Sequence, residues 1–281
     1  MSFRLIPRLD IKGPNLVKGI HLEGLRVLGK PEQFAQYYYE HGADELLYMD
    51  VVASLYQRNN LKEIISRTAN NIFIPLTVGG GIRTLDDIAT ILRSGADKVA
   101  INTAAVHRPE FITEASRIFG SSTIIISIEA IKHSNNRYEA YTDNGRESTG
   151  LDVFDWAKTA TELGCGELLI TSIDQDGTGN GFDIELTRRI AEEVPIPVIA
   201  CGGAGKADHI SQAMIDGNAD AVCIGSLLHY NYLDHNYDNQ DFADEGNIEY
   251  LKSARQFSKI DRTTLPEINR FLHDAGFERR T

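Results

Sequence analysis

Two carboxylates, Asp10 and Glu129, each close a short apolar run, Arg4–Leu9 and Thr123–Ile128. Carboxylates on either side of one ligand can divide proton transfer between an acid and a base. Two glycine stretches have a complementary character. Gly79-Gly80-Gly81 follows the apolar run Ile74–Val78, and Gly202-Gly203 follows Pro197–Cys201. In each case the next apolar run ends in small polar residues, Asn102-Thr103 and Gly225-Ser226. Glycine lets a ligand come close to the backbone, and the amides at a helix start bind anions. One such turn is often only a tight bend. Two alike, with matching polar partners, point to two phosphate groups. Asp50 and Thr171-Ser172 end further apolar runs. The set describes an enzyme acting on a ligand with phosphates at opposite ends.

The elements that must position these residues occur twice. Ile74–Val106 lies over Ile196–Leu228 at an offset of 122 residues, with Asn218 as one extra residue in the second copy. Upstream, Gly42–Asp50 lies over Gly164–Ser172, and Arg4–Asp10 over Thr123–Glu129. Each copy holds four strands, each followed by a helix. The expected fold is α/β, a (β/α)8 TIM barrel built from two repeated half-barrels. All the residues above then sit at the C-terminal ends of barrel strands, where this fold builds its active sites. Ile11–Lys30 is a long, Gly-rich loop, and Asp143-Asn144-Gly145 marks a small hairpin. The whole chain, 1–281, reads as one domain. A segment at about 231–262, acidic, tyrosine-rich and without a clear period, is inserted between the last strand and a final helix, Leu265–Ala275. It leaves from the mouth of the barrel, where Tyr230, Tyr232 and Tyr237 could stack on a sugar or a base.

Composition narrows the class. Lys+Arg 28 against Asp+Glu 40 gives a net charge of −12, which argues against a general nucleic-acid or membrane-surface binder. Phosphate ligands remain compatible, since backbone amides hold them without net positive charge. Cys165, Cys201 and Cys223 fall on or beside strands, as buried reduced thiols do. The N-terminus is too polar for a signal peptide, and no apolar run reaches membrane-spanning length, so the expected location is cytoplasmic. The eight histidines show no metal-ligand spacing.

RLIPRLDIK, FIPLTVGGGIR, GADKVAINTAAV, YTDNGRESTGLD, LLITSIDQDGTGNGFD and PVIACGGAG resemble segments of the cyclase subunit of imidazole glycerol phosphate synthase. The likeness covers nearly the whole chain except about 231–262. It implies an ammonia-dependent lyase of histidine biosynthesis. Its substrate is an aminoimidazole-carboxamide ribonucleotide with a phosphate at each end, converted to imidazole glycerol phosphate and an aminoimidazole ribonucleotide without metal or redox cofactor. By resemblance Asp10 is the main acid/base and Glu129 its partner. Lys18 lies on a loop that closes over the site, and the TSIDQDGT loop brings Asp174, Asp176 and Gly177 to the substrate. The likeness also implies a glutamine amidotransferase docked on the opposite barrel face as a heterodimer. Ammonia then passes a gate of charged residues, Arg4, Glu45, Lys98 and Glu167.

Three positions depart from the family pattern. Arg8 stands where the family has a small residue. Glu129 stands where it has Asp, and the extra methylene moves the carboxylate by about 1–1.5 Å, enough to cost about 100-fold in rate. Segment 231–262 is additional. These departures keep open a paralogue that uses channelled ammonia to amidate a sugar acetamido group in surface-polysaccharide biosynthesis. A non-catalytic phosphate-binding activator of an amidotransferase is a third reading, against which Asp10, Lys18 and Asp50 argue.

Overall fold

Strand alternation decides which side chains face the barrel axis. The computed structural model describes residues 2–52, 61–236, 259–261 and 263–279. Its eight barrel strands are β1 (Leu5–Lys12), β2 (Leu46–Asp50), β3 (Leu76–Gly79), β4 (Lys98–Ile101), β5 (Ile124–Lys132), β6 (Glu167–Ser172), β7 (Val198–Cys201) and β8 (Ala221–Ile224). Each pairs in parallel with the next, β8 pairs with β1 and β4 with β5, so the sheet closes. Eight helices alternate with them: α1 (Pro31–Glu40), α2 (Leu61–Ala69), α3 (Leu85–Arg93), α4 (Glu110–Phe119), α5 (Val153–Glu162), α6 (Ile184–Glu193), α7 (Ala207–Ile215) and α8 (Leu265–Asp274). The doubled (β/α)8 expectation holds.

On β1, Leu5, Leu9 and Ile11 face the helices and join the large outer core, while Ile6 joins an inner cluster with Leu47, Ile125, Leu169 and Ile199. Burying each such side chain contributes about 1.5–3 kcal/mol. By the same two-residue period, Arg8 and Asp10 follow Ile6 on the inner face. The barrel axis is thus filled in layers, with ions below, aliphatic side chains in the middle and ions again at the mouth.

The recurring Gly-Ala-Asp turn has a structural task. Asp44, Asp97 and Asp220 each immediately precede or nearly precede an even-numbered strand, and each accepts the first backbone N–H of the odd strand beside it. The donors are Leu5 (2.7 Å), Leu76 (2.8 Å) and Val198 (2.9 Å). The fourth turn has Gly166 instead, whose own N–H donates to Ile124 O (2.9 Å). A Cβ there would stand 2.3 Å from Ser121 O. The repeat unit is therefore a strand pair pinned at its base.

Two differences from expectation concern the mouth. Ile11–Lys30 is not an irregular loop. β1 runs on to Lys12 and pairs with an antiparallel hairpin, Asn15–Ile20 and Glu23–Gly29. Its turn residues, His21 and Leu22, take φ of 53° and 60°, the left-handed region that type I′ turns require and that Asn and Gly usually supply. The second hairpin, Tyr138–Thr142 and Glu147–Asp152, appears where Asn144-Gly145 announced it. The other difference is at the inserted segment, whose first residues, 231–236, continue a regular helix, Ser226–Asn236. Tyr232 packs its ring on Phe34 and Tyr37 at 4.2 and 4.8 Å, so it faces α1 rather than a ligand, and Tyr230 also packs against the outer core. Tyr237 and the acidic stretch after it lie outside the described residues. The segment returns at the mouth, where Asp261 N–H donates to Gly205 O (2.7 Å) and Lys259 Nζ to Asn180 Oδ1 (2.9 Å).

Candidate active site

Asp10 is not a solitary carboxylate. It is buried, with Oδ1 accepting from Arg8 Nε at 2.7 Å and Oδ2 3.5 Å from Lys18 Nζ. Lys18, on the first hairpin, also pairs with Asp176 at 2.9 Å. Burial alone would raise the Asp10 carboxyl; Arg8 and then Lys18 outweigh it and hold the group below the usual carboxylate range. Lys18 is likewise held charged, since Asp176 and Asp10 overcome the effect of its burial. His229, on the helix that follows β8, fixes the strand beneath. Burial and Lys18 lower it to about 4, so it is neutral at pH 7. Its Nε2–H donates to Arg8 O (2.8 Å), and its Nδ1 accepts from the Tyr38 hydroxyl (2.7 Å).

Glu129 has the opposite character. It is buried on β5, and its Oε2 accepts from Gly145 N–H at 2.8 Å. Burial pushes it up to about 7, with Arg8 and the Gly145 amide only partly offsetting. At neutral pH one carboxylate is thus fixed as the anion and the other can carry a proton. A carboxyl raised from its ordinary value weakens the fold as pH climbs through the interval up to 7, because the folded chain must then ionise a buried group. Glu129→Gln is therefore expected to be more stable than the parent at pH 8 by up to about 3 kcal/mol, and equal to it at pH 4. Urea unfolding at the two pH values measures this, and a pH-independent difference would refute the assignment.

The two glycine sites have diverged. On one side, Asp50, Gly80, Gly81, Asn102, Thr103 and Glu129 line a cavity of about 460 Å³. Gly80 and Gly81 have φ of 94° and 71°, and a Cβ on Gly80 would lie 2.2 Å from Asp50 O. Asn102 and Thr103 are tied to the second hairpin through Tyr141 O (3.0 Å) and Asp143 N–H (3.2 Å). On the other side, Asp176, Gly177, Gly202, Gly203, Gly225 and Ser226 surround only about 20 Å³, with Arg8 and Lys18 projecting in. The first hairpin roofs this side: His21 N–H donates to Asp176 O (2.9 Å), and Asn144 Nδ2 reaches across to Leu22 O (3.1 Å).

Four expected residues lie apart from both cavities. Asp10 lines neither, although its partners Arg8 and Lys18 line the narrower one. Thr171 touches the site through Arg8 Nη1 at 3.3 Å. Ser172 turns its carbonyl to Asp176 N–H (3.0 Å) and lines neither cavity. Asp174 is exposed and accepts Lys132 N–H (2.8 Å), bracing β5 against the following loop. Arg8 and His229, in contrast, belong to the site. The signal for Arg8 was its position two residues before Asp10; His229 carried none.

At the opposite end of the barrel, Arg4, Glu45, Lys98 and Glu167 form a ring of alternating charge. Arg4 pairs with Glu45 (2.8 Å) and Glu167 (3.1 Å), and Lys98 pairs with the same two at 3.2 and 2.7 Å. Between the ring and the mouth, Ile6, Leu47, Thr77, Ile125, Leu169, Ile199 and Cys223 enclose about 10 Å³. Cys165, Cys201 and Cys223 are buried and free.

Residues 4–234 match the family described as histidine biosynthesis protein. The chain belongs to this family. It is 60% identical over 210 residues, 75% of this chain and 99% of the relative, to imidazole glycerol phosphate synthase subunit HisF of Legionella pneumophila. Against the subunits of the same name from Alkaliphilus metalliredigens and Methanocaldococcus jannaschii it is 46% identical. Those likenesses span 81% and 82% of this chain and 90% and 92% of the relatives. The family assignment makes the chain a cyclase-type lyase subunit of imidazole glycerol phosphate synthase. Among the described residues no helix is long and apolar enough to cross a membrane.

Proposed function

We propose that the chain converts a bis-phosphorylated aminoimidazole-carboxamide ribonucleotide and ammonia into imidazole glycerol phosphate and an aminoimidazole ribonucleotide. The observation that carries this reading is the pairing of two glycine-lined cavities, one at β3 and β4 and one at β7 and β8, with Asp10 and Glu129 on the strands that begin the two halves. A ligand with phosphates at both ends spans the mouth and lays its reacting centre between the carboxylates. Asp10, held ionised by Arg8 and Lys18, accepts a proton from the attacking nitrogen. Glu129, protonated below about 7, donates one to the leaving group. Lys18 and Asp176 close the roof over the β7–β8 phosphate. Asp50, Asn102 and Thr103 hold the other end.

The ammonia comes from a glutamine amidotransferase docked against the lower face as a heterodimer, in the cytoplasm. The alternating ring of Arg4, Glu45, Lys98 and Glu167 closes the axis there, and the aliphatic layer above it favours neutral ammonia over ammonium. Residues 1–281 form one domain, with 231–262 inserted. Turnover of the purified chain with the ribonucleotide and ammonium salt tests the reading. Formation of imidazole glycerol phosphate is expected, rising with pH as free ammonia increases and falling once Glu129 ionises above about 7. Absence of product at saturating ammonia, from a chain that binds the ribonucleotide, would overturn it.

A further inference from the structure

Arg8 enters the β7–β8 cavity from below with a donor to spare. Its Nε is taken by Asp10 (2.7 Å), and its Nη1 by Thr171 Oγ1 (3.3 Å) and Cys201 Sγ (3.5 Å). Nη2 is buried and has no partner among the described residues, although Arg8 is only 3% exposed. A charged donor left unpaired away from water is costly, and this one belongs to a side chain that lines the cavity. The cations Arg8 and Lys18 are matched there by Asp10 and Asp176, so the side chains offer no net charge to an anion. What they leave unused is Nη2. The cavity walls add the backbone of Gly202, Gly203 and Gly225, and Ser226 opens an 11-residue helix, whose first amides favour an anion.

We propose that Arg8 is a ligand-contacting residue whose Nη2 donates to an oxyanion seated over Gly202, Gly203, Gly225 and Ser226, selecting a phosphate monoester at this end of the ligand. The proposal rests on reading the β7–β8 cavity as an anion site. Donors converge there from beneath the cavity, from its glycine walls and from a helix start. Three directions suit the three terminal oxygens of a phosphate, whereas a carboxylate has two oxygens in one plane.

The test uses the full chain labelled with nitrogen-15 and titrated with inorganic phosphate, following the backbone amides of individual glycines. In the parent chain, Gly202, Gly203 and Gly225 on one side and Gly80 and Gly81 on the other are expected to shift saturably. In Arg8→Met the first group is expected to respond about 10- to 100-fold more weakly, with Gly80 and Gly81 unchanged. No shift of Gly202, Gly203 and Gly225 in the parent overturns the anion-site reading itself. Parent shifts that survive Arg8→Met within twofold overturn this proposal alone. Should Arg8→Met fail to fold, seen as loss of the Gly80 and Gly81 response, Arg8→Lys decides. It keeps a cation beside Asp10 without the guanidinium fork, and undiminished phosphate affinity in it overturns the proposal. Acetate at equal concentration is expected to leave Gly202 and Gly203 unmoved, and an equal response to acetate overturns the selection for phosphate.

Discussion

Asp10→Asn lowers ammonia-dependent turnover by about 10²–10⁴-fold, the range spanned by a positioned proton-transfer group, and leaves the barrel folded. The substitution keeps one oxygen in place, so Arg8 Nε retains an acceptor, and Lys18 keeps Asp176. Neither cation becomes an isolated buried charge, which would cost about 3–5 kcal/mol. The loss therefore falls on chemistry. Steady-state kinetics with ammonium salt, beside a thermal melt, separate the two effects. A turnover number within threefold of the parent would remove Asp10 from proton transfer and leave it the task of orienting Arg8.

Gly203→Ala is the backbone counterpart. Gly203 takes φ of 109°, and a Cβ there would stand 2.0 Å from Gly181 O, a main-chain atom that cannot rotate away. Gly181 N–H in turn donates to Gly203 O at 2.8 Å, so the two glycines cannot separate without losing that bond. The strained φ costs about 1–3 kcal/mol, and the collision adds to it. A melting point lower by roughly 5–10 °C is expected from a loss of about 3 kcal/mol in a chain of this size. Displacing the anion site by about 1 Å lowers kcat/KM by about 100-fold. Gly120→Ala supplies the comparison. Its φ is 89°, and nothing lies within 4 Å of the added Cβ, so it isolates the cost of backbone strain. Equal melting points for the two variants would contradict the collision.

The barrel was legible because its signals are local and doubled. The two Gly-rich turns, the Gly-Ala-Asp turns and Pro31 each announce a backbone event where it occurs, and Asn144-Gly145 announces the second hairpin. The first hairpin was hidden because His21 and Leu22 occupy its left-handed turn without the residues that normally mark one. Asp176 accounts for their tolerance there, since its carbonyl takes His21 N–H (2.9 Å) and its carboxylate takes Leu22 N–H (3.4 Å). That is a contact between residues more than 150 positions apart, which no local pattern encodes. The site was legible to the same depth. Strand ends named Asp50, Glu129 and the glycines, which line the two cavities, and Asp10, which pairs with two residues that line the narrower one. They placed Ser172 there too, because a strand end does not reveal which way the chain turns next. The pairing of Asp10 with Arg8 follows from alternation along β1, but the reach of Arg8 across to Thr171 and Cys201 depends on barrel curvature.

The contact between Asn144 and Leu22 gives the mouth a direction of traffic. The two hairpins meet there and make a bridge, with the wide cavity of β3 to β5 open on one side and the narrow cavity of β7 and β8 covered on the other. A ligand with two charged ends cannot load both at once. The end destined for the covered side has to pass beneath this bridge, whereas the other end meets an open cavity. On the proposed reading, product that carries this end is expected to dwell longer than product that carries the other, an order that product-inhibition kinetics would check.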